Sequence, residues 1–184
     1  MTRLGLLLLA GTLFIAPGLY AQRPASSDIP VLTVCEILRD VTRYDGVAVV
    51  VVGRSIGTME GSWLDEECAP QIVINGRSWR PSISTTYIAS EFAPPPEKPS
   101  GFKWERGAIQ AKLESVQRTT SLQVYKDKSS DHWLAVFGRL EATLPRKITF
   151  GAGRTGLVPG FGHLAGSPAQ LISPRDGFLR LKAE

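Results

Sequence analysis

The chain has 184 residues, 43% of them hydrophobic and 21% charged, with a formal net charge of +4. This composition belongs to an ordinary globular domain and excludes a disordered or fibrous protein. The length excludes a multidomain enzyme or a multispanning membrane protein.

At the N-terminus, Arg3 precedes the uncharged, leucine-rich run Leu4 to Ala16, which Pro17-Gly18 breaks ahead of Leu19-Tyr20-Ala21. This pattern reads as a secretory signal peptide over residues 1–21, cleaved before Gln22. A spanning helix needs about 20 apolar residues, so the run is too short for an anchor. No later stretch is apolar enough to span, and no cysteine stands at the cleavage point to carry a lipid. The mature protein is therefore expected to be periplasmic or secreted, with no transmembrane segment.

Export governs the reading of Cys35 and Cys68, the only cysteines. An oxidising compartment favours joining them. The two histidines, His132 and His163, are too few to complete a zinc set, and no base is identifiable for a catalytic thiol. A disulfide closing this loop contributes roughly 3–4 kcal/mol by the chain-entropy relation.

Residues 22–30 read as a flexible leader, with Gln22 to Asp28 rich in Ser and Pro. Thr33 and Glu36 form a capping box, and Val34, Ile37, Leu38 and Val41 mark one face of a short helix. Asp45-Gly46 is a turn that launches the strand Val47 to Val52, with Gly53 and Gly57 expected to interrupt it by a bulge or sharp coil. Glu60 to Leu64 is a second strand, followed by the acidic turn Asp65-Glu66-Glu67. Gln71 to Ile74 and Arg77 to Trp79 flank Asn75-Gly76, a hairpin dipeptide.

The prolines of Ala93 to Pro99 require an extended, exposed segment. Ala108, Ile109, Leu113 and Val116 predict a helix over about Trp104 to Gln117. The span from about 81 to 121 thus reads as a partly helical insertion within one domain. Strands are expected at Leu122 to Tyr125, Trp133 to Leu144, Ala169 to Ile172 and Phe178 to Leu181. The architecture is mainly β.

Tyr44-Asp45-Gly46 running into the valine strand and Val52-Gly53-Arg54 looks like the entry of a bacterial OB-fold module. Val136-Phe137-Gly138-Arg139-Leu140, Gly160-Phe161-Gly162-His163-Leu164 and Pro168-Ala169-Gln170-Leu171 resemble an uncharacterised group of exported bacterial OB-like proteins. Cysteines before the first strand and after Trp63-Leu64-Asp65 match the same group. The resemblance implies residues 31–184 as a single small OB-like β-barrel with a short N-terminal helix. It implies no activity.

Gly151 to Gly156 matches the dinucleotide fingerprint in letters, but Pro159 and further glycines prevent the helix that would meet a pyrophosphate. Asp65-Glu66-Glu67 reads as a solvated turn, because consecutive carboxylates diverge. His132 reads as a strand-start residue, and His163, between glycines, as the more interesting imidazole. Trp79-Arg80 and Lys103-Trp104 each join a flat ring to a cation, suited to stacking or to a capped core margin. With Arg139 on the strongest strand, the binding candidates are Trp79, Arg80, Lys103, Trp104, Arg139 and His163.

No metal set, cofactor loop or nucleophile elbow is recognisable. The expected function is a non-catalytic exported module that binds an unknown ligand or an envelope protein. Nucleic acid is a lesser candidate, since the basic middle of the chain also reads as a solvated face. The alternative is a small periplasmic hydrolase centred on His163 or the acidic turn.

Overall fold

The computed structural model describes residues 29–87, 94–119, 132–142, 146–149, 153, 155–158 and 160–182. The signal peptide, most of the leader and the strand expected at Leu122 to Tyr125 lie outside the described residues. None of the described helices is long and apolar enough to cross a membrane.

The chain opens with β1 (Val31–Thr33), which pairs in parallel with the following long strand, and turns at once into α1 (Val34–Arg39). The capping box forms as the sequence predicts. Thr33 Oγ1 accepts from the Glu36 amide at 3.2 Å, and Glu36 Oε2 accepts from the Thr33 amide at 2.8 Å. The helix ends two residues earlier than Val41, at the non-helical Asp40, and a 3-10 turn over Val41–Tyr44 follows. Asp45 then ties this corner to the barrel, its Oδ1 accepting from the Ala142 amide at 2.8 Å.

β2 (Ala48–Thr58) runs unbroken through Gly53 and Gly57, where the sequence predicted an interruption. Its length has a reason: it pairs with β3 (Gly61–Asp65) over its second half and with β7 (His132–Glu141) over its first eight residues. One long strand therefore pairs with β3 and β7, besides β1, and closes the sheet. The strands that follow are the ribbon β4 (Val73–Ile74) and β5 (Arg77–Ser78), then β6 (Ser82–Thr86), the ribbon β8 (Arg146–Thr149) and β9 (Thr155–Val158), then β10 (Ala169–Ile172) and β11 (Phe178–Leu181).

Hydrogen bonding runs β2–β3–β6–β10–β7 and back to β2, a closed barrel of five strands. β6 and β10 are parallel, and the other barrel pairs are antiparallel. This is the OB-like barrel. Two elements differ from expectation. Gln71 to Trp79 forms a side ribbon around Asn75-Gly76, both with positive φ, instead of a barrel strand. The third barrel strand is β6, inside the span read as insertion, and α2 (Arg106–Thr119) lies between β6 and β7.

The strict two-residue alternation of a strand sorts side chains to two faces. Val49, Val51, Leu64, Ile83, Val136, Leu140, Ala169 and Leu171 fill the barrel, together with Val34, Ile37 and Leu38 of α1. Their neighbours Val50, Val52, Ala135 and Phe137 face outward and are covered by Ile109 and Leu113 of α2. Each Val, Leu, Ile or Phe side chain among them contributes about 1.5–3 kcal/mol when removed from water. The remaining outward face, on β3 and β6, is crossed by the 160–167 loop with its 3-10 turn His163–Ala165. That face carries the site.

Candidate functional site

Register places Trp63 and Asp65 of β3 on the outward face, opposite Ser84 and Ser82 of β6 and beside Ile56 and Arg54 of β2. The segment 160–167, which links β9 to β10, folds across this face. Buried Phe161 anchors it, exchanging two backbone hydrogen bonds with Ser167 at 2.8 and 3.1 Å. Ser167 Oγ meets Ser82 Oγ at 3.1 Å. Gly162 is needed at its position: φ is +70°, and a Cβ there would stand 2.8 Å from Ser84 Oγ and 3.1 Å from Trp63 Nε1. Leu164 and Ala165 also adopt positive φ, at 55° and 53°. Such backbone is sparse for non-glycine residues and gathers at ligand clamps and switch regions.

Between this loop and the two strands lies a cavity of about 240 Å³, bordered by Ile56, Glu60, Trp63, Asp65, Arg80 and His163 among others. One end is basic and acidic at once. Arg54 Nε and Nη2 both donate to Asp65 Oδ1, at 3.1 and 3.0 Å, and Arg80 Nη2 donates to Oδ2 at 3.2 Å. Arg54 and Asp65 are buried there, whereas the Arg80 side chain is 67% exposed. At the other end His163 Nε2 stands 3.5 Å from Glu60 Oε2, linking the loop tip to the β2–β3 turn. Met59 and Leu164, the residues next to this pair, are almost fully exposed.

Of the sequence candidates, the fold brings Arg80 and His163 to this one cavity. Trp79 is a core residue, 5% exposed, its indole covered by the Arg77 guanidinium at 4.1 Å. That is the capped-margin reading, with Arg77 in place of Arg80. Lys103 borders a different cavity, of about 250 Å³, beside Ile29 and Phe102. Trp104 packs edge-on against Phe102. Arg139 lies on β7, where it donates to Pro94 O and approaches Glu141. His132 is the first residue of β7, as expected. The glycine-rich stretch from Gly151 to Gly166 contains the strand β9 and the 3-10 turn His163–Ala165. No group of three or more metal-ligating side chains occurs among the described residues.

The acidic turn is not solvated as the sequence reading had it. Asp65 and Glu66 are each 7% exposed. Glu66 Oε2 accepts from the Cys35 amide at 2.8 Å, satisfying a donor that the first turn of α1 leaves free. Burial raises the Glu66 carboxyl above its ordinary 4.5, and the hydrogen bonds from Cys35 and Thr33 offset part of that rise. A raised folded-state value means the folded protein binds the proton more tightly than the unfolded chain. The resulting stabilisation is present below pH 4.5 and is lost as pH climbs through the folded value. Glu66→Gln keeps the acceptor without the titration. Urea unfolding of both proteins from pH 3.5 to 7.5 should show wild type losing ground to the variant as pH rises. A constant or reversed difference would contradict the buried-carboxyl account.

Sequence reasoning missed Trp63, Arg54, Glu60, Ser82 and Ser167. The signal for Trp63 and Asp65 was there: OB-fold barrels take ligands on their second and third strands, and these residues alternate outward on the second. Ser82 and Ser167 carried none.

Fold and site together define a small disulfide-linked OB-like barrel with a walled cavity on its outer β3–β6 face. The Cys35–Cys68 link is formed, with the Cα atoms 5.6 Å apart. No family model, curated protein or solved structure matches the chain.

Proposed function

We propose that this protein is an exported, non-catalytic binding module that seats its ligand between β3, β6 and the 160–167 loop, and that it belongs with the exported bacterial OB-like proteins it resembles. One observation carries the reading: a cavity opens on the same strands that OB barrels use for ligands, with Trp63, Arg80, Glu60 and His163 at its border. The disulfide supports an oxidising location, since such links persist there. A partner in the envelope is the companion proposal.

Arg80 and Lys103 border separate cavities and are both exposed, so they make a matched pair for testing. Thermal unfolding of the protein is measured with a panel of glycan fragments, short peptides and oligonucleotides. One class should raise the midpoint in wild type and in Lys103→Glu, with the rise lost in Arg80→Glu. The reading fails if no class raises the midpoint, or if Lys103→Glu loses the effect and Arg80→Glu keeps it.

A second reading rests on the same border. His163, Glu60, Ser82 and Ser167 share the cavity, an imidazole with a carboxylate and two hydroxyls. The two hydroxyls bond to each other, and both oxygens of Asp65 are held by arginines. Turnover of ester and glycoside probes by wild type, abolished in a folded His163→Ala variant, would replace binding with hydrolysis.

A further inference from the structure

We infer that the seat on β3 and β6 is built for a neutral oligosaccharide; this rests on the binding reading above. The charges of the seat are balanced. Arg54 and Arg80 face Asp65, and Glu60 faces His163, so neither end presents a row of unopposed cations. Two guanidiniums stand against two carboxylates, so a nucleic acid strand bound here would meet a seat close to neutral and release few counterions. A ligand without charge meets no such penalty.

The functional groups suit a polyol. Trp63 is half-buried and lines the cavity, offering an apolar aromatic surface on which the C–H face of a sugar ring can lie. Its indole is flanked by two glycines, Gly61 near Cη2 and Gly162 near Nε1, where a Cβ would come within 3.2 and 3.1 Å. Hydroxyl groups are at once donors and acceptors, and the rim supplies both kinds of partner. Glu60 only accepts, while Arg80, mostly in solvent, has donors that Asp65 does not use. Glu60, in the β2–β3 turn, and Asp65, the last residue of β3, bracket Trp63, and an extended chain of that length spans about 16 Å, the reach of a short oligosaccharide.

The test is calorimetry on the exported protein with four probes: tetrasaccharides of N-acetylglucosamine and of glucose, octathymidylate and tetra-alanine. A tetrasaccharide should bind saturably, with affinity changing less than about two-fold between about 50 and 200 mM salt. Trp63→Ala should weaken it about ten-fold or more, Trp63→Phe less, and Trp104→Phe not at all. Octathymidylate binding with a steep salt slope overturns the inference. So does tetrasaccharide binding that both Trp63 variants leave unchanged while circular dichroism matches wild type. If no tetrasaccharide binds but the peptide or the oligonucleotide binds and depends on Trp63, the sugar assignment falls and the seat stands. If none of the four binds, the sugar assignment falls as well, and the panel experiment above decides the seat.

Discussion

Replacing Asp65 with alanine should destabilise the protein by about 3–5 kcal/mol, the range for removing one partner of a buried ion pair. Asp65 is 7% exposed and Arg54 9%, so the guanidinium would lose a charged partner in a place water barely reaches. The pair was never a strong net stabiliser, because desolvating both charges offsets much of their attraction. Its removal is asymmetric: the cost lies in a buried charge left with one partner fewer. Arg80, on the other oxygen of the same carboxylate, is 67% exposed, and its pairing is screened by solvent. Arg80→Ala should therefore change stability by less than about 1 kcal/mol. Arg54→Met with Asp65→Leu, which removes both charges for similar volume, should recover most of the loss. Urea unfolding of the four proteins at pH 7 separates these cases. Equal effects of Asp65→Ala and Arg80→Ala, or a double variant no better than the single, would mean that Arg54 is not the charge that matters.

The same trio explains which parts of the site could be read from sequence. Val47 to Val52 reads as a buried strand because β-branched residues without helical spacing have one comfortable conformation. Trp133 to Leu144 reads as a strand from its two-residue alternation, although the strand ends at Glu141, and the capping box at Thr33 is a four-residue motif. Each of these depends on neighbours in sequence. The ion pair of Arg54 with Asp65 depends on β2–β3 register, and the hydroxyl contact of Ser82 with Ser167 joins residues 85 apart. No local pattern encodes that contact. Trp79-Arg80 misled for a related reason: adjacent residues on an extended chain point to opposite sides. Trp79 enters the core while Arg80 turns to the cavity. The acidic triplet divides in the same way, with Asp65 facing the arginines and Glu66 facing α1. Treating those three carboxylates as one feature hid two separate roles.

The joint between that triplet and α1 carries the second large effect. Cys35→Ser with Cys68→Ser should cost roughly 3–4 kcal/mol, the loop entropy released when a link across 33 residues is opened. The closed loop contains α1, β2, β3 and the acidic turn, so the link constrains two barrel strands and the element that packs into their core. It is not the only tie across the joint. Glu66 holds the Cys35 amide, and Arg39 Nη2 donates to Ala69 O at 2.7 Å. These contacts keep the folded geometry when the sulfurs part, so the variant should still fold and show an unchanged near-ultraviolet spectrum. The loss should arise in the unfolded chain, which becomes less compact without the link, and the urea m value should rise. Wild type unfolded in dithiothreitol should reproduce both the midpoint and the slope of the double variant. A loss below about 1 kcal/mol with m unchanged would mean that the polar ties alone secure the joint and that the loop-entropy account is wrong. A large loss with m unchanged would place the effect in the folded state instead, through displacement of α1 from the barrel core.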